Sequence, residues 1–313
     1  MGLSAFICVY LRIHLLEGRE AMNLVIQGEE VETPDLKELH RIARGEAIER
    51  ISEDAFRVTK ADPATKSEVA AHCAHAKLDW GFVDQGRRLA GFRLLAMDMD
   101  STLISIECID EIADFAGRKA EVAAVTAAAM RGEIDWPESL RRRVKALAGL
   151  EEGTLERVYA ERLRFNKGAE KLLAAAKRNG VKTLLVSGGF TYFTDRVRDQ
   201  LGFDYAYSNT LVVEGARLSG TVAGPLVDAH GKAGHVARLR QELGIARERV
   251  MAIGDGANDL LMMAEAGTSV AYRAKPVVKK KADYALDYAG LDGLLNLFPD
   301  SSGLESSRSG SGK

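Results

Sequence analysis

The stretch Leu94-Leu95-Ala96-Met97-Asp98-Met99-Asp100-Ser101-Thr102 constrains this chain more than any other. A short apolar run reads as a buried strand. It ends in two aspartates one residue apart, two hydroxyl side chains and then a helix-forming stretch. Carboxylates there are costly for a core. They are well placed for chemistry, because ligands of an open parallel α/β sheet sit outside the carboxyl ends of its strands. Two later apolar runs have the same form. Val181–Val186 leads into Ser187-Gly188-Gly189, and Val250–Ile253 leads into Gly254-Asp255-Gly256-Ala257-Asn258-Asp259, each followed by a helical stretch. In a parallel sheet the three turns lie at one edge, so residues far apart in sequence converge.

A chain of 313 residues predicts two or three compact units. Its net charge of -2 gives no basic footprint for nucleic acid or an anionic membrane, so phosphate recognition has to be local. Cys8, Cys73 and Cys108 are widely spaced, which argues against a disulfide framework or a zinc site and for a reducing, cytoplasmic setting. The apolar opening from Leu3 to Leu16 lacks a basic n-region and a cleavage site and is too short to span a bilayer. A cleaner strand begins at Met22, so translation is expected to start there, leaving residues 1–21 as a non-native or disordered extension.

Residues 22–85 read as a small α+β domain in a βαβαβ-like pattern: strands Leu24–Ile26, Ala55–Val58 and Trp80–Val83, helices Asp35–Arg44 and Lys66–Lys77. His72, Cys73 and His75 have no further ligand near in sequence and read as a helix surface. Residues 84–92 read as a linker, and residues 86–300 as the main unit. Four helical stretches follow the first acidic turn (Ile104–Phe115, Glu121–Met130, Trp136–Leu147 and Leu155–Leu163), predicting a helical cap at about 104–165. The α/β rhythm returns at Gly168. It includes a short strand Tyr205–Ser208, a hairpin over Leu211–Val222, a helix Gly234–Leu243 and last strands Ser269–Tyr272 and Tyr284–Leu286; residues 301–313 read as a disordered tail.

Asp98 and Asp255 at one edge would repel each other unless a hard cation sat between them, and few protein ligands with several waters suit Mg²⁺. Acidic helix caps at Asp100 and Asp255 would account for one loop but not for the extra acids in both. Ser187-Gly188-Gly189 offers a hydroxyl and amides to an anion, and Lys232, at a helix start where a cation is poorly placed, suits neutralising one. With no G-x-x-x-x-G-K-[ST] and no G-x-G-x-x-G, this is equipment for phosphoryl transfer without those nucleotide-binding routes.

Asp98-Met99-Asp100-Ser101-Thr102, Ser187-Gly188-Gly189, Lys232 and Gly254 to Asp259 resemble, in order and spacing, the four motifs of the haloacid dehalogenase superfamily, and more narrowly of its phosphoserine phosphatases, over about residues 90–290. The resemblance implies a Rossmann-like parallel sheet sandwiched by helices, with an inserted helical cap. It implies that Asp98 is the nucleophile and Asp100 the acid and base. Ser187, the Gly188 amide and Lys232 would hold the phosphate, with Asn258 near it. Asp98, the Asp100 carbonyl and Asp255 would bind Mg²⁺, supported by Asp259. Glu107 and Arg143 match the acid and arginine that recognise the ammonium and carboxylate of serine, although charge pattern alone reads them as a helix-start acid and a solvated basic face. Met130 and Trp136 match apolar cap positions.

The expected activity is Mg²⁺-dependent hydrolysis of O-phospho-L-serine, the last step of serine biosynthesis. The rivals are another small phosphate (phosphohomoserine, phosphothreonine or a sugar phosphate) or a non-catalytic amino-acid sensor. The N-terminal unit resembles degenerate ACT-like domains, which makes serine binding there a hypothesis for calorimetry. A homodimer is compatible with the sequence.

Overall fold

The computed structural model describes residues 22–301, and the chain divides between Arg87 and Arg88 into two compact units. The expectations for residues 1–21 and for the tail beyond Ser301 lie outside the described residues.

The first unit runs β1 (Met22–Gln27), α1 (Thr33–Ala43), β2 (Ile48–Ser52), β3 (Ala55–Ala61), α2 (Lys66–Ala76) and β4 (Asp79–Asp84). Its sheet order is β2-β3-β1-β4, antiparallel throughout. The βαβαβ reading is one strand short. Ile48-Glu49-Arg50-Ile51-Ser52 is almost wholly exposed, so the apolar alternation that would announce it is missing. Leu24 and Ile26 of β1 pack with Leu36 and Leu39 of α1 and Val69 and Cys73 of α2, which gives the helices their common face. His72 bonds Asp35 at 2.8 Å across those helices, and among the described residues no His or Cys joins a metal-holding cluster.

The second unit is built on a seven-stranded sheet, and the α/β reading is borne out. Its elements are β5 (Leu94–Met97), α3 (Cys108–Phe115), α4 (Lys119–Met130), α5 (Trp136–Ala146), α6 (Gly153–Arg157), α7 (Ala169–Arg178), β6 (Lys182–Phe190), α8 (Thr191–Leu201), β7 (Tyr205–Glu214) and β8 (Arg217–Ala223). There follow α9 (Ala229–Glu242), β9 (Val250–Gly254), α10 (Leu260–Ala264), β10 (Thr268–Tyr272), α11 (Pro276–Lys279) and β11 (Tyr284–Leu286). The strand order β11-β10-β9-β5-β6-β7-β8 is parallel except for β8. Strand β5 is central, and the chain leaves it toward β6 on one side and later returns to β9 on the other. That reversal opens a crevice at the carboxyl ends of β5 and β9, where Asp98 and Asp255 stand.

Residues 84–92 are less of a linker than their polarity implies: Leu89 and Phe92 are buried, and Leu89 lies in a turn of 3-10 helix. The short strand at Tyr205 and the first arm of the hairpin form one continuous ten-residue strand, β7. The helical insertion is pinched at its base. Ile104 bridges Phe165, Ser105 N donates to Arg164 O at 2.9 Å, and the Asn166 side chain donates to the Thr102 and Ile104 carbonyls at 2.8 and 3.2 Å. Its first helix begins at Cys108 rather than Ile104, because Ile104 is spent on that bridge and the backbone is still extended at Glu107.

Candidate active site

Asp98 follows β5 directly, its amide donating to Ile253 O at 3.0 Å, so the β5–β9 ladder fixes where the carboxylate leaves the sheet. Asp98 Oδ1 accepts from Met99 N at 2.7 Å. Ser101 then adopts φ 56°, a left-handed conformation that costs a non-glycine residue roughly 1–3 kcal/mol. The turn returns a bond from Ser101 N to Ile106 O at 3.1 Å, and the Ser101 hydroxyl donates to Glu107 Oε1 at 2.7 Å. The strained residue thereby places Glu107.

Lys232, in the first turn of α9, is 1% exposed and reaches Asp98 Oδ1 at 2.8 Å and Asp259 Oδ1 at 2.7 Å. These two carboxylates pair with the ammonium where the sequence shows only a cation at a helix start. Burial opposes the ammonium, but Asp259 and Asp98 outweigh it and hold it charged above its usual range. Asp259 Oδ2 accepts from the amides of Asp255 and Gly256 at 3.1 and 3.0 Å. A side chain at Gly254 would meet that oxygen at 2.4 Å, which is why the turn needs glycine there. Asp255 Oδ1 accepts from the Thr102 hydroxyl at 3.1 Å, a link between two of the three turns that no spacing rule announces.

Asp98, Asp255 and Asp259 each bring an oxygen within 4.8 Å of the others. Burial, the Asp259 charge and the Asp255 charge push Asp98 well above the usual carboxylate range despite Lys232. Burial, followed by Asp259 and Glu107, pushes Asp255 up to about 6. Three crowded hard oxygen donors, two of them pushed above the usual carboxylate range, are a set suited to a divalent cation, and these residues fit one. Asp100 is pushed up to about 7, by burial first and by Glu107 next, against hydrogen bonds from Cys108. Its buried Oδ1 has no hydrogen-bond partner, while its Oδ2 stands 2.9 Å from where a Gly189 side chain would begin.

Ser187 Oγ accepts from Gly189 N at 2.8 Å, which leaves the hydroxyl proton to donate into the cavity. Trp136 covers Gly188, its ring 2.9 Å from the position of the absent Cβ. Opposite the acids, burial pulls the Arg143 guanidinium below its usual range against the charges of Asp110, Glu107 and Asp100, and its buried Nε has no partner.

Asp98, Asp100, Glu107, Arg143, Ser187, Gly188, Lys232, Asp255 and Asn258 all line one cavity of about 130 Å³. Asp259 lies fully buried, bonded to the Lys232 ammonium. Sequence reasoning misses Ile109, Leu140 and Phe190 as lining residues, since they look like any helix-face or strand apolar residue; Trp136, expected at an apolar cap position, lines the cavity too. Met130 is largely exposed at the end of α4 and is not among the lining residues.

A family model described as haloacid dehalogenase-like hydrolase matches residues 92–267. The chain belongs to this hydrolase family. Within it, this hydrolase is 54% identical over 215 residues to a phosphoserine phosphatase of Polaromonas sp., covering 67% of this chain and 91% of that one. It is similar to the unliganded structure of a probable phosphoserine phosphatase from Vibrio cholerae, with a TM-score of 0.78 and 36% identity, over 90% of this chain and 87% of that one. It is also similar to the structure of a phospho-aspartyl intermediate analogue of phosphoserine phosphatase, with a TM-score of 0.62 and 36% identity, over 66% of this chain and 99% of that one. Residues 24–69 match a domain of unknown function. No helix among the described residues of this hydrolase is long and apolar enough to cross a membrane.

Proposed function

We propose that this hydrolase cleaves O-phospho-L-serine to L-serine and phosphate through an aspartyl-phosphate on Asp98, as the last step of serine biosynthesis in the cytoplasm. The observation that carries the reading is one small cavity lined both by Asp98, Asp100, Ser187 and Lys232 and by Glu107 and Arg143. A phosphomonoester needs the first group, and a zwitterionic amino acid needs the second: a carboxylate for its ammonium and a guanidinium fork for its carboxylate.

Ser187 Oγ–H, the Gly188 amide and Lys232 hold the phosphoryl oxygens, and Asn258 lies beside them. Asp98 attacks phosphorus. Asp100, whose carboxyl is held up to about 7, keeps a proton near neutral pH and gives it to the departing serine oxygen. Asp100, now a carboxylate, takes a proton from water as that water attacks the phosphoryl group, and Asp98 is regenerated. Asp98, the Asp100 carbonyl and Asp255 would hold the cation, which we assign as Mg²⁺, while Asp259 keeps Lys232 and the Asp255 turn in place. When bound, the cation offsets the crowded carboxylate charge and that of the phosphoryl oxygens. Trp136 over Gly188 excludes water from the phosphate end.

The test is release of inorganic phosphate from a panel of phosphate esters with and without Mg²⁺, run beside Asp98→Asn. O-phospho-L-serine is expected to lead the panel and Asp98→Asn to abolish turnover. Activity undiminished by that substitution ends the covalent mechanism.

A further inference from the structure

Strands β6 and β7 separate where the phosphate end of the cavity begins. Their register passes from Val186 opposite Tyr207 to Phe190 opposite Asn209, so Ser187, Gly188 and Gly189 together stand across from Ser208 alone. The chain bulges there, and main-chain groups that a regular ladder would pair need other partners. Asn209 supplies one of them. It is 1% exposed; its Nδ2 donates to Gly188 O at 2.8 Å, and its Oδ1 accepts from Val227 N at 2.8 Å. These partners fix the orientation of the amide, since a carbonyl only accepts and a main-chain N–H only donates.

We infer that Asn209 is a positioning residue for the phosphate end of the site, holding the Gly188 carbonyl away from the anion and tying the bulge to the segment that carries Lys232. The inference rests on reading Ser187–Gly189 as the phosphate cradle, and not on the identity of the leaving group. If the peptide between Gly188 and Gly189 turned over, its carbonyl dipole would face the anion. Gly189 N would also leave Ser187 Oγ, the 2.8 Å bond that frees the hydroxyl proton for the phosphate. The second bond reaches the helix of the lysine: Val227 precedes Asp228, whose carboxylate caps α9 by accepting from Gly231 N at 2.8 Å, and Lys232 follows in the first turn. One buried amide thus sets the spacing between hydroxyl and ammonium without lining the cavity itself. Aspartate at this position would keep the acceptor for Val227 N but present no donor to Gly188 O.

The experiment compares Asn209→Asp and Asn209→Ala with the unmodified full chain. The readouts are competitive inhibition by inorganic phosphate, competitive inhibition by L-serine, steady-state hydrolysis of O-phospho-L-serine, and thermal melts. Positioning predicts that the phosphate inhibition constant rises about tenfold or more, the scale of one to two hydrogen bonds, with KM following it and the L-serine constant staying within about threefold. Variants that fold and keep the original phosphate constant overturn the inference, as do variants in which both constants move equally. Should neither variant fold, hydrogen exchange of the unmodified protein decides. Saturating inorganic phosphate is expected to slow exchange in 225–228 together with 186–190, and slowing confined to 186–190 overturns the link. An unmodified protein that neither turns over O-phospho-L-serine nor is inhibited by phosphate removes the cradle reading and this inference with it.

Discussion

Lys232→Met keeps much of the stem's volume while deleting the charge. Asp98 and Asp259 then face each other in a buried setting with neither of the 2.7–2.8 Å bonds that neutralise them. Removing one partner of a buried pair strands the other and costs about 3–5 kcal/mol. At roughly 2–4 °C per kcal/mol for a unit of this size, the melting temperature is expected to fall by about 6–20 °C. Without the ammonium, Asp98 is driven further toward its neutral, non-nucleophilic form, and one donor to the phosphoryl oxygens is gone; phosphate release is expected to fall about 100- to 1000-fold. The assay pairs differential scanning fluorimetry with phosphate release at saturating substrate and Mg²⁺. Adding Asp259→Asn to Lys232→Met removes one stranded charge while leaving an oxygen for the Asp255 and Gly256 amides, so stability is expected to recover in part and activity not at all. A single variant that melts within about 2 °C of the unmodified protein and keeps activity within about threefold refutes the electrostatic reasoning.

Arg143→Ala removes a charge-assisted contact to the substrate carboxylate; its expected signature is a rise of about 10- to 100-fold in KM for O-phospho-L-serine with a smaller change in kcat, and an unchanged KM assigns the guanidinium elsewhere. Gly189→Ala places a methyl 2.9 Å from Asp100 Oδ2 and 3.1 Å from Ser187 Oγ, so kcat is expected to drop at least about tenfold, whereas Gly153→Ala, with nothing within 4 Å, is expected to leave it unchanged. Asp100 and Asp255, held up to about 7 and about 6, retain protons in the folded state at pH values where the unfolded chain has released them. Their folded pKa values are raised, so their contribution to stability is fullest at low pH and declines as pH rises from about 4 to about 7. Melts in chelator are therefore expected to fall across that window, and added Mg²⁺ to stabilise more at about pH 8 than at about pH 5; equal stabilisation at both contradicts the reading.

What was legible in the sequence followed from strong local signals. Asp98, Ser187 and Asp255 each end an apolar run at a polar turn, and the parallel-sheet rule brings such turns together before any coordinate is known. Lys232 is visible only as a cation in an unfavourable place, and nothing local says that Asp259, 27 positions away, turns inward to meet it. Glu107 was read as a helix residue, because the apolar period continues back to Ile104 and the bridge from Ile104 to Phe165 that delays the helix is a long-range contact. Strand β2 was invisible because its side chains face solvent on both faces. Asn209 sits between the half-buried Ser208 and the exposed Thr210, and its value depends on a register shift that a single sequence does not encode.

In the proposed mechanism Asp98 carries the phosphoryl group between the two half-reactions. The most direct measurement is rapid acid quench of the enzyme during turnover of O-phospho-L-serine, followed by peptide mass analysis. Borohydride reduction runs in parallel, converting an aspartyl-phosphate to homoserine. The expected result is a phosphorylated, reducible residue at Asp98, absent in Asp98→Asn. Turnover with no phosphorylated intermediate, or with the phosphoryl group on any other residue, contradicts it.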